Sequence, residues 1–175
     1  MNNFMQAHNI MREAGFRQPS LLQLAFLASL GGRAETLETI AKDLDRSPST
    51  LKYTLGALCS SGMVSVTRKE ISLSTYGQEL RKRLPAWVNY ADEGLQSGVD
   101  TIYGWALLEA VNDDQHRSLG QICKELGLPT TTAQYCAHNM VAAGLLTHIP
   151  VFDSDRMLSR YAATNIGQGL LERLS

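Results

Sequence analysis

The sequence predicts a mainly α-helical protein of the α+β class, in which short β-hairpins follow groups of helices. Three observations lead to this fold class. Apolar residues recur at helical spacing through most of the chain, short segments alternate apolar and polar residues, and the whole pattern occurs twice. The chain has 175 residues, of which 44% are hydrophobic and 19% charged, so it is long enough to bury a core in one or two domains.

An internal repeat organises the chain. At a shift of 82 residues, segment 36–66 aligns with segment 118–148. The identical pairs are Leu37/Leu119, Ile40/Ile122, Lys42/Lys124, Leu44/Leu126, Thr50/Thr132, Tyr53/Tyr135 and Gly62/Gly144. Further on, 73–84 aligns with 163–174 only at a shift of 90, so the second copy has 8 extra residues between these segments. We expect the insertion in a surface loop or hairpin.

Local signals predict the first two helices of each copy. Apolar side chains recur at helical spacing over 20–30, and the two glycines that follow end this helix. Thr36 is suited to cap a second, shorter helix that runs to Leu44. In the second copy, Ser118 and Gln121 have the spacing of a capping box.

A tight turn leads to a third helix and then to a hairpin. Ser47 supplies the N-cap of the third helix, Pro48 fits its first turn, and Gly62 ends it. The segment 63–74 alternates around a basic centre and predicts a β-hairpin. A last helix is predicted over 75–84. The order within each copy is therefore helix, helix, helix, hairpin, helix.

This order, together with segment 40–64 and the motif LSTYGQEL at 73–80, resembles the winged helix-turn-helix regulators of the MarR type. In those proteins the pattern L-T-x-x-G-x-x-L follows the wing. In the second copy, Ala163 stands where that pattern has its leucine. The resemblance implies two winged-helix units in tandem. The predicted domains are an N-terminal helical segment at 1–19, a first winged helix at 20–84, a connector at 85–97 and a second winged helix at 98–175.

The resemblance implies that the third helix lies in the major groove of DNA and that its outward side chains meet base edges. Leu51, Leu55 and Leu58 are expected to point inward, which leaves Gly56 and several polar residues outward. The N-terminus of this helix also favours a phosphate, and the hairpin tip is placed to contact the DNA backbone or minor groove. The predicted DNA-binding residues of the first copy are Arg46, Ser47, Ser49, Lys52, Tyr53, Arg68 and Lys69. No acidic residue lies between Arg46 and Arg68.

The equivalent face of the second copy is polar but has no fixed positive charge. Its predicted DNA-binding residues are Thr131, Gln134, Tyr135 and His138, with Arg156 and Arg160 in the longer hairpin. Phosphate neutralisation supplies most non-specific affinity for DNA. For this copy, DNA contact and a surface for a protein partner therefore both stay open.

The charge distribution also separates the two copies. Residues 1–95 have 11 lysines and arginines against 9 acidic residues, whereas 96–175 have 5 against 8. The first copy is thus the better candidate for a phosphate-binding surface. A formal net charge of −1 excludes the strongly basic, histone-like class of DNA-binding proteins.

Little in the sequence indicates catalysis, a metal or a cofactor. Cys59, Cys123 and Cys136 form no C-x-x-C pair and are expected to be small core residues. The histidines have no metal-ligand spacing and are expected to be surface groups or local hydrogen bonders. A Gly-rich phosphate loop and the motifs H-E-x-x-H and G-x-S-x-G are absent from the sequence. We therefore expect a protein that is not an enzyme and needs no cofactor.

Two segments outside the predicted units have apolar faces. Phe4, His8 and Met11 share a helical face, with Met5 on its flank, and the connector adds Trp87, Val88 and Tyr90. These faces fit either a homodimer contact through 1–19 or 85–97 or packing against the core of the same chain. No apolar run approaches the roughly 18 residues of a membrane span, and the N-terminus is unlike a signal peptide, so a cytoplasmic protein without membrane contact is expected.

The sequence thus predicts a sequence-specific, double-stranded DNA-binding transcriptional regulator with two recognition helices in one chain. Such a chain reads successive major-groove faces about 10 base pairs apart, as a homodimer does with two chains. One alternative is a plasmid or phage replication initiator. Another is a protein-interaction scaffold, such as the tandem winged-helix accessory subunits of condensins.

Overall fold

The computed structural model describes residues 2–113 and 117–174. The helices are α1 (Asn3–Glu13), α2 (Leu21–Ser29), α3 (Leu37–Asp43), α4 (Pro48–Ser60), α5 (Thr75–Arg83), α6 (Ala91–Gln96), α7 (Ile102–Val111), α8 (Leu119–Leu126), α9 (Thr130–Ala142) and α10 (Asn165–Leu174). The strands are β1 (Glu35–Thr36), β2 (Val64–Thr67), β3 (Glu70–Leu73), β4 (Leu146–Asp153) and β5 (Arg156–Ala163). A 3₁₀ helix over Ala86–Tyr90 precedes α6.

The described part of the chain is mainly helical and has two small antiparallel sheets, which confirms the α+β class. One sheet has the strand order β1-β3-β2, and the other consists of β4 and β5. In the first half of the chain (20–84), α2, α3 and α4 precede a hairpin and α5. In the second half (98–174), α7, α8 and α9 precede a hairpin and α10.

The predicted helix starts are confirmed by their caps. Thr36, Ser47 and Ser118 each accept a hydrogen bond from the backbone N–H three residues later, which satisfies a donor that the helix leaves unpaired. Pro48 is the first residue of α4. The start of α9 differs, because its cap position is Pro129 and makes no side-chain hydrogen bond.

The extra residues of the second copy lie in its hairpin, as predicted. The first hairpin pairs Val64 with Leu73 at its base and has four residue pairs. The second hairpin pairs Leu146 with Ala163 at its base and has eight. Its strands are therefore about twice as long, and its tip lies farther from the helices.

One strand was not predicted from the sequence. The two-residue strand β1 pairs with β3, with Glu35 opposite Ile71 and Thr36 opposite Glu70. Such a short strand has no periodicity of its own. It exists because a partner more than thirty residues away in the chain offers a free edge.

The apolar faces of the N-terminal segment and the connector pack inside the chain. Phe4 lies 4.6 Å from Trp87 and 6.1 Å from Trp105, measured between ring centroids. The Trp87 indole donates to the Asn3 carbonyl at 3.2 Å, and the Trp105 indole donates to the Val99 carbonyl at 3.1 Å. The sequence left open whether these faces contact a second chain or pack against the core of their own chain. In the structure they pack against the core of their own chain.

A homodimer through 1–19 or 85–97 stays a prediction. The buried faces of both segments are already used, since Phe4, Met11, Trp87 and Val88 are each less than a tenth exposed. Any contact with a second chain would therefore use outward side chains such as Tyr90, which is exposed.

The expectation that all three cysteines lie in the core is wrong for Cys59. Cys123 and Cys136 are buried, and burial raises the pKa of both thiols, but Cys59 is exposed on α4. Cys59 follows Gly56 by three residues and so lies on the same, outward side of the helix. Val141, which aligns with Cys59 at the shift of 82 residues, is itself only half-buried.

The histidines divide between surface and core. His138 and His148 are exposed, as expected. His8 is buried and is a local hydrogen bonder, the other expected role, with its Nδ1 at 3.4 Å from the Asn9 side-chain oxygen and its ring against Tyr103. His116 lies outside the described residues.

Candidate nucleic-acid interface

Helix α4 presents one polar face because its other face is anchored in the core. Leu51 and Leu58 are fully buried, and Leu55 is half-buried. These residues recur at helical spacing, so the opposite side of α4 is turned to solvent. The exposed residues of this outward face are Ser49, Lys52, Tyr53 and Gly56, as predicted, and the Tyr53 side chain is 86% exposed.

Hydroxyl groups cluster at the N-terminus of α4. The Ser47 oxygen lies 2.9 Å from the Ser49 hydroxyl and 2.8 Å from the Thr50 hydroxyl, and it accepts the Thr50 N–H at 3.2 Å. The N-terminus of a helix is also the positive end of its dipole. A phosphate oxygen placed here would meet hydroxyl donors and a favourable local potential.

The hairpin that follows α4 ends in two basic residues. Arg68 and Lys69 form the turn between β2 and β3, and both have positive φ, +51° and +70°. Paired positive φ values are typical of the tight hairpin turns that match the twist of the strands. The turn therefore presents two exposed cations at the end of the hairpin.

The cations of this region have no carboxylate partner among the described residues. Lys52, Arg68 and Lys69 make no ion pair there, whereas Lys82 pairs with Glu79 at 2.8 Å. Other basic groups of the same half are also neutralised, such as Arg83 by Glu13 and Arg33 by Glu35. Cations without an ion pair among the described residues therefore lie on α4 and at its hairpin tip, as they also do elsewhere in this half, for example at the exposed residues Arg17 and Lys42.

Arg46 is the predicted residue of the first half that the structure places elsewhere. Its guanidinium donates to the Leu95 carbonyl at 3.1 Å and to the Asp45 carbonyl at 2.9 Å, and the residue is half-buried. At the shift of 82 residues its counterpart is Leu128, which is buried. Arg46 therefore joins the α3–α4 turn to α6 and is not grouped with the outward face of α4.

Asp100, just after the connector, holds the start of α2. The backbone carbonyl of Asp100 accepts the Leu21 N–H at 2.9 Å, and its carboxylate accepts the Leu22 N–H at 2.8 Å. Partial burial raises the pKa of Asp100, while the Leu22 hydrogen bond and the nearby charge of Arg46 oppose that rise. These contacts tie the two halves together through residues close to α4.

Helix α9 repeats the arrangement of α4 without its charge. Ala133, Cys136, Ala137 and Met140 are buried, which turns the opposite side outward. The predicted residues of this face are all exposed: Thr131, Gln134, Tyr135 and His138. The Tyr135 side chain is 68% exposed and has the same helix position as Tyr53. Helix α9 contains no lysine or arginine.

The two arginines predicted on the second hairpin lie in different surroundings. Arg156 is exposed next to the tip, opposite Asp153 in the strand register. Arg160 is half-buried and lines a cavity of about 300 Å³ together with Arg117 and Tyr161. Its Nε atom is buried and has no hydrogen-bond partner among the described residues. Of the two predicted arginines, Arg156 is therefore the one whose side chain is exposed to contact a partner.

Sequence reasoning missed three large apolar side chains on the second hairpin. Phe152, Met157 and Ile149 are 77%, 61% and 43% exposed. The 8 extra residues of the second copy could have indicated a hairpin whose outer part extends beyond that of the first copy, where apolar side chains stay exposed. Only the basic residues Arg156 and Arg160 were predicted on this segment.

The described residues contain no group of three or more His, Cys, Asp or Glu side chains that could hold a metal ion. Within the same residues, no helix combines the length and apolar character needed to cross a membrane.

Comparison with known proteins adds weak similarities only. No protein-family model matches the chain, and no curated protein matches it. ScpB from Mycobacterium tuberculosis aligns at 14% identity over 97% of this chain and 94% of that one, with a TM-score of 0.33. A conserved hypothetical protein from Chlorobium tepidum aligns at 17% identity over 86% and 95%, with a TM-score of 0.34.

A third solved structure, the DIP2311 protein from Corynebacterium diphtheriae, aligns at 12% identity over 75% of this chain and 24% of that protein, with a TM-score of 0.28. TM-scores and identities this low do not establish a shared fold.

Proposed function

We propose that this protein is a double-stranded DNA-binding transcriptional regulator built from two winged helix-turn-helix units similar to those of MarR-type proteins. It acts in the cytoplasm and is not an enzyme. The observation that carries the proposal is the surface formed by α4 and its hairpin tip. That surface combines an exposed polar helix face with three cations that have no carboxylate partner among the described residues.

The arrangement of elements supports the winged-helix assignment. Helices α3 and α4 are joined by a short turn, α4 is followed directly by a hairpin, and α5 closes the unit. Helices α8, α9 and α10 have the same order around the second hairpin. In such a unit the third helix enters the major groove and the hairpin lies beside it.

Each side chain of the first surface has a chemical role in this proposal. Lys52 reaches a guanine edge or a phosphate, and Tyr53 contacts a phosphate or a thymine methyl group. Ser47 and Ser49 bind a phosphate at the helix N-terminus. Arg68 and Lys69 contact the adjacent DNA backbone or minor groove.

In the second unit, the face of α9 reads bases by hydrogen bonding. Gln134 can pair with an adenine edge through two hydrogen bonds, and Thr131, Tyr135 and His138 are also compatible with the groove. Because this face has no fixed charge, its contribution is to sequence preference more than to affinity. The first unit supplies the phosphate contacts for both.

The test uses Lys52→Ala and Arg68→Ala with DNA obtained by selecting bound sequences from a random duplex library. Each substitution should lower the affinity and reduce the slope of log K against log salt concentration by about 1, since one phosphate contact is lost. Both side chains are exposed, so stability should change by less than about 0.5 kcal/mol. Affinity is measured by fluorescence anisotropy over a series of salt concentrations.

Lys82→Ala is the matched control. Lys82 is an exposed lysine of the same half, but it pairs with Glu79 and lies on α5, away from the proposed surface. Its removal should leave the affinity and the salt slope unchanged. Unchanged DNA affinity in both Lys52→Ala and Arg68→Ala would contradict the proposal.

A protein-interaction scaffold is the second candidate function. The uncharged face of α9 and the exposed apolar side chains of the second hairpin favour it. A chain of this kind would bind DNA weakly or not at all, with little dependence on salt. The same anisotropy series therefore separates the two candidates.

A further inference from the structure

The outer part of the second hairpin has no counterpart in the first. Strands β4 and β5 stay paired from Leu146 and Ala163 at the base to Asp153 and Arg156 at the tip. The first hairpin ends after four pairs. The second hairpin is therefore longer by four residues in each strand, and these residues form a surface that the first half lacks.

Two large apolar side chains form a pair on this extension. Phe152 lies directly opposite Met157 in the antiparallel register, so both project from the same face of the ribbon. They are 77% and 61% exposed. Single exposed apolar residues are common, but an aromatic residue and a methionine side by side are typical of the centre of a protein interface.

Acidic groups border this pair. Asp153 follows Phe152 in β4, and Asp155 lies in the turn. The one basic residue at this end is Arg156, the first residue of β5, opposite Asp153. None of these three charges has an ion-pair partner among the described residues, and all three are exposed. Arg160 is half-buried midway along the hairpin, so the exposed charges of the tip are two acids and one base.

The charge of the tip argues against DNA as the occupant of this surface. A phosphate backbone would meet Asp153 and Asp155, and like charges brought together lower the affinity. The tip of the first hairpin has the opposite charge, since its residues are Arg68 and Lys69. An anionic lipid surface is disfavoured for the same reason.

A second copy of the chain is also disfavoured. A two-fold contact places the same patch on both partners, so the acidic tips would face each other. A contact between this hairpin and the basic surface of another copy would not close on itself, and it would compete with DNA for Lys52 and Arg68.

We propose that the outer part of the second hairpin docks a segment of another protein that combines a large apolar side chain with lysine or arginine. The apolar side chain packs between Phe152 and Met157, and the basic groups meet Asp153 and Asp155. In such interfaces the buried apolar anchor supplies most of the affinity, while the charges set the association rate and the partner choice.

This docking leaves the DNA surface free. The contacts proposed for DNA lie on α4, on α9 and at the first hairpin tip, and none of them uses Phe152 or Met157. The protein would thus bring a partner to the DNA that it binds. The partner surface does not depend on whether α9 reads bases.

The test is a selection of 12-residue peptides from a random phage-displayed library on the full-length protein. Enriched peptides should contain lysine or arginine together with phenylalanine, leucine or tryptophan. Their affinity for the double variant Phe152→Ser and Met157→Ser should fall about tenfold or more, as expected when the central apolar contact is lost. Asp153→Asn with Asp155→Asn should weaken binding less and reduce its dependence on salt.

Val66→Ser is the matched control, since Val66 is an exposed apolar residue of the first hairpin. It should leave peptide binding unchanged. Circular dichroism verifies that each variant is folded, which is expected because the substituted side chains are exposed. The selected DNA should bind the wild type and the double variant equally, so loss of peptide binding and loss of DNA binding are separate results.

Three outcomes would overturn the proposal. The first is that no peptide is enriched, or that enriched peptides bind the double variant as well as the wild type. The second is a fall in DNA affinity in the double variant, which would assign the hairpin to DNA. The third is a dimer in sedimentation velocity that the double substitution abolishes, which would assign it to a second copy.

Discussion

At the end of the third helix, the two halves of the molecule make the same contacts. Ser74 donates its hydroxyl to the Gly62 carbonyl at 2.5 Å, and Thr164 donates to the Gly144 carbonyl at 2.6 Å. The same two hydroxyls accept the N–H of the residue three positions later, at 3.0 and 3.1 Å. The glycines at the helix ends also share positive φ values of +77° and +73°.

On the surface the two halves diverge. The first hairpin is short and ends in Arg68 and Lys69, whereas the second is long and has Asp153 and Asp155 near an exposed apolar pair. Contacts that shape the backbone are therefore shared, and the exposed side chains of the two hairpins are not. This difference teaches that similar local contacts hold both halves, whereas their surfaces fit the two different binding roles proposed above.

The largest expected effect tests the shared backbone. A Cβ on Gly77 would overlap the Met63 carbonyl oxygen, and a Cβ on Gly167 would overlap the Leu145 carbonyl oxygen. Because backbone atoms cannot give way as a flexible side chain can, Gly77→Ala and Gly167→Ala should each lower the free energy of unfolding by about 3 kcal/mol. Urea denaturation followed by tryptophan fluorescence measures both.

Gly56→Ala and Gly169→Ala are controls within helices, since nothing lies within 4 Å of a Cβ at either position. They should stabilise the protein by about 0.5–1 kcal/mol, because alanine is the better helix former. If only one of Gly77→Ala and Gly167→Ala caused a large loss of stability, the two halves would not share this backbone contact.

The next effect tests whether both halves read DNA, and in different ways. Gln134→Ala should cost about 1–3 kcal/mol at one base pair and relax the preference there, while the salt slope stays nearly constant because no phosphate contact is lost. Lys52→Ala should change the slope. Competition with single-base variants of the selected DNA, at two salt concentrations, distinguishes these patterns.

If Gln134→Ala changed neither the affinity for DNA nor the base preference, DNA reading would be assigned to the first half alone. A footprint that covers a single half-site would point the same way. In that case α9 would belong with the second hairpin to a protein-binding unit.

The smallest effect concerns α1, which packs on the second half. Burial lowers the pKa of His8 below its ordinary value of 6.5, and its ring lies 4.6 Å from that of Tyr103. A buried histidine that stays neutral binds fewer protons than the same residue in the unfolded chain. Stability should therefore decrease as the pH falls below about 6.5, by at most about 1.4 kcal/mol per pH unit.

His8→Leu should remove this part of the pH dependence, which is measured as the unfolding free energy at pH 7.0 and pH 5.5. An unchanged pH profile in His8→Leu would show that other groups titrate in this range.

The sequence by itself determined the features that arise from interactions between near neighbours. The caps at Thr36, Ser47 and Ser118, the glycine that ends α4 and the basic turn of the first hairpin were all predicted. Each of them depends on a few consecutive residues, whose hydrogen bonds and backbone angles are dictated by residue type. Amphipathic spacing likewise predicted which sides of α4 and α9 are exposed.

Only the tertiary structure decided which distant residues meet. Pairing of β1 with β3 and of Arg46 with the Leu95 carbonyl joins parts of the chain that are far apart in sequence. Burial of Phe4 between two tryptophans and the half-burial of Arg160 follow from packing in the same way. A local pattern shows that a face is apolar or basic, but it contains no information on which surface of the folded chain will cover it.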